Sequence, residues 1–305
     1  MRIGISIDTN GTLDDVLPRF SSAEADGFKG AWVSNIFGFD AMTLLALAGR
    51  VTSSIELGSF VVPTYPRHPA AIVQQALTTA AATGNRFLFG IGLSHRVVIE
   101  GQMGLDYSKP ILHSREYLTI LDRGLSGQVT RFEGKLYRVA FQVQVPGARK
   151  PPVIMAALGP QMLKLAGRLA DGTATWMGGP RYLAETAIPA ITAAAAEAGR
   201  PAPRVVSGFP VAVTNDPEGA RASAAKAFAI YGQLPSYRAI LDVEGAADAS
   251  GVAIVGDAAT VTAQVRALRD AGVTDFNGSP FAVEGDPAAR DRTYALLASL
   301  AANGL

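Results

Sequence analysis

Few side chains in this 305-residue chain could do chemistry by themselves. It has no cysteine and only three histidines, His68, His95 and His113, too scattered for a dedicated metal cage. Without thiols there is no disulfide scaffold, thiolate nucleophile, iron–sulfur cluster or cysteine-bound zinc. Hydrolysis by paired carboxylates needs two acids at a defined separation, and only Asp8 and Glu100 are available for it. A Schiff-base enzyme needs a lysine at a strand end. Lys29, Lys109, Lys135, Lys150, Lys164 and Lys226 all fall before expected strands, in connections or on helices. What remains is polar and glycine-rich: Asp8 and Asn10, Asn35, Ser94 and His95, Gly159 and Pro160, Gly178 and Gly179, Asn277 and Ser279. So sparsely charged a set suits a bound organic cofactor that carries the reaction itself.

These residues follow short β-branched or aromatic runs. The runs are 3–7, 31–34, 55–62, 87–92, 153–157, 173–176, 205–214 and 274–277, and alanine-rich amphipathic segments alternate with them. Continuous apolar strands are buried on both faces, as in a parallel sheet. Eight β-then-α units over this length predict a single-domain (β/α)₈ TIM barrel spanning 1–305, whose site lies at the C-terminal strand ends. Two stretches break the alternation as insertions after strands 4 and 7. Residues 127–145 alternate like a β-hairpin around Glu133-Gly134. Residues 232–255 lack clean periodicity and read either as a lid over the site or as a surface elaboration.

Charge and hydropathy exclude other classes. The net charge of +1 has no basic stripe, so no nucleic-acid partner is expected. The N-terminal run reaches Asp8 too soon for a secretory signal, and the uncharged segment 69–85 is interrupted by Gln74, Gln75 and threonines. A cytoplasmic protein without a membrane partner is expected. The amides opening the helix at ALGP (157–160) could bind phosphate, although Gly-Pro is also ordinary helix punctuation. GIG at 90–92 lacks the third glycine of a dinucleotide fingerprint.

LGSFVVPTYPRHPAAIVQQALTTAAATGNRFLFGIGLSH (57–95) resembles the signature of the bacterial luciferase-like (β/α)₈ oxidoreductases. Residues 113–139, 151–180 (PPVIMAALGPQMLKLAGRLADGTATWMGGP) and 256–276 extend the resemblance over most of the chain. In wording it is most similar to the branch that uses coenzyme F420, an 8-hydroxy-5-deazaflavin. The resemblance implies a bulge with a non-prolyl cis peptide at Ser59-Phe60-Val61 backing the cofactor ring. It also implies Asn35 beside the headgroup, with Ser94 among the cofactor contacts. Ala157, Leu158, Gly159 and Pro160 would hold the phosphate, with Met177-Gly178 beside them. Met177 could line the ring edge or fill a gap.

Members that oxidise alcohols or sugar phosphates often carry Asp-His after the second strand. This chain has Asn35-Ile36, and Ile36 cannot transfer a proton. The candidate proton carriers are then His95, Asp8 and Glu100, or solvent. His95 reads as acid/base or equally as a hydrogen-bonding post. His68 is expected to orient the following helix and His113 to face solvent. Trp32 and Trp176 are expected in the core, and Phe37 and Phe39 over a substrate pocket. The expected activity is F420-dependent hydride transfer to or from a small organic substrate, in a homodimer as the resemblance implies. The alternatives are an FMN-dependent monooxygenase and a non-catalytic deazaflavin-binding protein.

Overall fold

Helix starts in this chain are written in its polar residues and prolines. Thr12 and Asp15 form a reciprocal capping box on α1 (Leu13–Ala25). Asp40 caps α2 (Ala41–Val51) by accepting from the Thr43 amide. His68 orients α3 (Pro69–Ala82) by accepting from the Ala70 amide, as its position suggested. Proline also opens α5 (Pro110–Leu125), which follows the short α4 (Arg96–Ile99), and α6 (Pro160–Leu169).

A computed structural model describes residues 1–305. Its strands are β1 (Arg2–Ser6), β2 (Gly30–Val33), β3 (Glu56–Ser59), β4 (Val62–Pro63), β5 (Phe87–Gly92), β6 (Thr130–Glu133) and β7 (Arg138–Phe141). They continue with β8 (Val153–Ala156), β9 (Gly172–Trp176), β10 (Arg204–Val213), β11 (Ile254–Gly256) and β12 (Asp275–Pro280). Eight parallel strands run β10-β12-β1-β2-β3-β5-β8-β9, and β9 pairs back onto β10 to close the barrel. The remaining helices are α7 (Pro180–Tyr182), α8 (Ile188–Glu197), α9 (Pro217–Ala227), α10 (Pro235–Glu244), α11 (Ala258–Asp270) and α12 (Ala289–Ala302). This is a (β/α)₈ TIM barrel. No helix is long and apolar enough to cross a membrane.

The third strand is interrupted between β3 and β4 at the bulge, where the peptide between Phe60 and Val61 is cis, as the resemblance implied. The stretch 232–255 is substantially ordered: Pro235 opens α10, Ile240 and Leu241 are buried, and Ile254–Gly256 adds β11 to β10. A π turn at Leu183–Ala187 joins α7 to α8. In 127–145, β6 and β7 form an antiparallel pair whose turn is held by Glu116 of α5. Its carboxylate accepts from the Lys135, Leu136 and Tyr137 amides.

Side chains inside the barrel form layers. At the N-terminal end Arg204 binds both oxygens of Glu56 at 2.9 and 2.7 Å and also reaches Asp275 at 2.7 Å. Arg2 joins Asp275 and Glu56, so two cations and two anions plug this end. Above them Trp32 clusters with Leu88, Ile154, Ala174 and Val206. Its indole fits because neighbouring strands carry glycine: a Cβ on Gly58 would sit 2.3 Å, and one on Gly4 2.6 Å, from it. Phe60 and Val61 pack on this cluster and end the filled part of the barrel.

Candidate functional site

A cavity of about 1210 Å³ opens at the C-terminal end of the barrel. Its lining includes Phe60 and Val61 from the bulge, Ala156 and Ala174 from β8 and β9, and Ser6 from β1. Gly92 lets Val61 and Ala156 pack closely at this inner end, since a Cβ there would lie 2.7 Å from Val61 and 3.1 Å from Ala156. Gly208 does the same for the rings, where a Cβ would meet Phe60 at 2.8 Å and Trp176 at 2.9 Å. Bulky side chains are thus excluded where the barrel interior gives way to the cavity.

One polar border is the start of α6. Leu158 and Gly159 line the cavity, and Gly159 is the N-cap with no side chain over the first-turn amides. A Cβ at Gly159 would meet nothing within 4 Å, so open space lies in front of it. Such a helix start offers unpaired N–H donors to an anion. Asn35 forms another polar point. Its Oδ1 accepts from the Ala41 amide at 3.0 Å, and its amide nitrogen makes no intramolecular hydrogen bond. Arg67 also lines the cavity but is paired with Asp40 at 2.6 Å.

His95 lines the cavity at the end of the connection after β5 and makes no side-chain hydrogen bond. Burial lowers its imidazole below the ordinary value of 6.5, so the neutral form dominates at pH 7. Ser94, in the left-handed region with φ 59°, turns the chain into this position and also lines the cavity.

The other acid/base candidates stand elsewhere. Asp8 is bound by Arg290 at 2.9 Å on the rim, with Arg19 at 3.7 Å. Burial raises its pKa, but the Asn10 amide and Arg290 outweigh this and hold the carboxyl below its usual range. Glu100 pairs with Arg96 one helical turn back at 2.7 Å, and its side chain is exposed. Neither carboxylate lines the cavity.

The residues expected around a cofactor divide. Asn35, Phe60, Val61, Ser94, Leu158 and Gly159 line the cavity. Ser59 is buried beneath it, its hydroxyl donating to the Gly90 carbonyl and accepting from the Gly90 amide. Ala157 packs in the outer core, and Pro160 begins α6. Met177 fills a gap against Leu241 and Val252, and Gly178 lies against Thr175 and Leu183, away from the cavity. Phe37 reaches the cavity rim, whereas Phe39 packs on the core beneath its loop.

Two aromatic expectations reverse. Trp32 is core, but Trp176 lines the cavity because its β9 register points it into the barrel above Ala174. His113 is buried within a polar chain. Thr64 Oγ1 donates to the Gly92 carbonyl, so His113 Nε2–H donates to Thr64 at 2.8 Å. The Tyr137 hydroxyl donates to its Nδ1 at 3.1 Å, and Tyr65 stacks on the ring at 3.9 Å. His113 was expected to face solvent; it is buried because the covering hairpin, which brings Tyr137, is a tertiary contact.

The connection after β10 contributes a wall of the cavity through Phe228, Ile230, Tyr231, Leu234, Ser236 and Tyr237. The lid alternative for 232–255 covers the last three of these, whereas Phe228, Ile230 and Tyr231 were not singled out in the sequence; the aromatic pair Phe228 and Tyr231 ahead of Pro235 was the available signal. Tyr107 of the facing connection donates to the Ser94 carbonyl at 3.3 Å and lines the opposite wall.

Comparison with known proteins places this architecture. A 5,10-methylenetetrahydromethanopterin reductase of Methanolobus tindarius is 26% identical over 272 residues, 87% of this chain and 81% of the relative. The solved coenzyme F420 dependent tetrahydromethanopterin reductase of Methanopyrus kandleri superposes with a TM-score of 0.81 at 24% identity, covering 98% of this chain and 97% of that one. The oxygenating constituent of 3,6-diketocamphane monooxygenase from Pseudomonas putida, solved with FMN, superposes at 0.77 with 17% identity over 100% and 99% of the two chains. The model of the luciferase-like monooxygenase family matches residues 1–275. With closed barrel, interrupted third strand and C-terminal cavity together, the chain belongs to the luciferase-like monooxygenase family.

Proposed function

We propose that this enzyme is an oxidoreductase that uses coenzyme F420 to exchange a hydride with a small organic substrate. The observation that carries the reading is the cavity: an apolar inner end at Phe60 and Val61, and an uncovered helix start at Gly159. A flat ring fits the first and a phosphate the second. The F420 dependence of the Methanopyrus enzyme supports the deazaflavin over FMN. When bound, such a cofactor supplies or accepts a hydride at a ring carbon.

The chain's own residues then bind, orient and handle one proton. Phe60 and Val61 would back the ring, and the Asn35 amide nitrogen, free of intramolecular partners, would be a donor to it. The first-turn amides of α6 would hold the phosphate. His95 carries the proton: its imidazole is free of intramolecular partners, and its neutral form accepts a proton as a substrate is oxidised. The same group returns the proton in reduction.

Fluorescence titration of the purified protein with F420 and with FMN tests the reading. F420 should bind at micromolar concentration or below. Binding of FMN with none of F420 would overturn it in favour of a monooxygenase. F420 binding without turnover over a broad substrate panel would favour a carrier role.

A further inference from the structure

The cavity is far larger than its inner end, and its outer half differs in chemistry from the α6 border. Val97 and Met103 come from the connection after β5, and Phe228, Ile230, Tyr231 and Tyr237 from the connection after β10. Tyr231 and Tyr237 meet edge to face at 4.8 Å, and Tyr231 lies 6.3 Å from Trp176. Arg67 is the only formally charged side chain in the whole lining. It is committed to Asp40 and to the Pro63 carbonyl.

The rim carries the same character outward. Of the nine large apolar side chains exposed on this chain, four stand at this mouth: Ile36, Phe37, Val97 and Ile230. They come from three separate connections. Exposed apolar residues scattered singly are ordinary, but convergence on one concave opening marks a binding surface.

Resting on the functional reading above, we infer that the outer chamber selects an uncharged, predominantly apolar, ring-bearing organic molecule as substrate. Its ring lies against Tyr231 and Tyr237, where aromatic faces and edges favour another ring. A carboxylate or phosphate on that molecule would leave water for a chamber with no free cation, which is strongly unfavourable.

Equilibrium dialysis in phosphate buffer, so that inorganic phosphate occupies the α6 helix start in both arms, tests this with two probes on one frame: uncharged 2-acetylnaphthalene and anionic 2-naphthoate. The ketone should bind the protein at least about tenfold more tightly than the carboxylate. Tyr237→Ala should weaken the ketone by about tenfold. Val97→Lys, at an exposed position that tolerates lysine, should shift the preference toward 2-naphthoate whether or not Tyr237→Ala folds. Equal or tighter binding of 2-naphthoate to the unaltered protein, or binding of neither probe, overturns the inference. Dialysis needs no cofactor, so its failure is distinguishable from a failure to bind F420, which would overturn the functional reading alone.

Discussion

The imidazole of His95 and the phenol ring of Tyr237 meet at the cavity wall with centroids 5.9 Å apart. One comes from the connection after β5 and the other from α10, so two elements far apart in sequence define one wall. Tyr237 contributes to the dry surroundings that keep the imidazole neutral.

Replacing His95 with Gln should lower kcat by about 10²-fold while F420 affinity stays within about twofold. Steady-state kinetics beside a fluorescence titration measure both. Because burial lowers the His95 pKa, substrate oxidation by the unaltered enzyme should lose rate only as pH falls below 6.5, and His95→Gln should abolish that limb. A large affinity loss in His95→Gln would identify the side chain as a cofactor contact.

Gly159 separates folding from phosphate binding. Its φ of −86° suits any residue, and a Cβ there meets only open space. Gly159→Asp should cap α6 and leave the melting temperature equal or higher. The added anion should weaken F420 by at least about tenfold, as read by fluorescence titration. Gly159→Ser, which caps without charge, should keep affinity near that of the unaltered chain.

At the other end of the barrel, Arg204 joins β10 to Glu56 of β3 and Asp275 of β12. Arg204→Met leaves two carboxylates facing each other with only Arg2 between them. Urea denaturation should show a loss of about 3 kcal/mol. The site lies at the opposite end of the barrel, so F420 affinity of the folded fraction should be unchanged.

His113 makes stability depend on pH. Burial pushes its imidazole down to about 4, whereas an unfolded histidine titrates near 6.5. Between these values the unfolded chain binds more protons, so this contribution is complete above 6.5 and is lost as pH falls toward 4. The slope approaches about 1.4 kcal/mol per pH unit at most. Thermal melts of His113→Gln should show a shallower acid loss than those of the unaltered protein.

Much of the architecture was legible along the chain because its causes are local. Apolar strands such as FLFGIG, alternating with proline- and Asp-capped helices, identify β-then-α units. Eight of these close only one way when every strand is parallel. Gly159 could be placed at the site because it follows a strand end, and Leu158 beside it through the resemblance. Neighbouring positions fared differently: Met177 also follows a strand, yet φ 52° turns it into a gap beside Leu241.

The chain alone therefore determined the barrel, its closed parallel topology and the poverty of its site in charged groups. Those follow from periodicity and residue type, which act over one or two turns or a single strand. Only the tertiary structure decided which polar groups remain free. Arg290 reaches Asp8 from the far end of the chain, Tyr137 buries His113 from a hairpin, and Tyr237 packs beside His95 in one wall. Each pairing joins residues far apart in sequence, and whether a side chain is spent on structure or left for a ligand depends on such contacts.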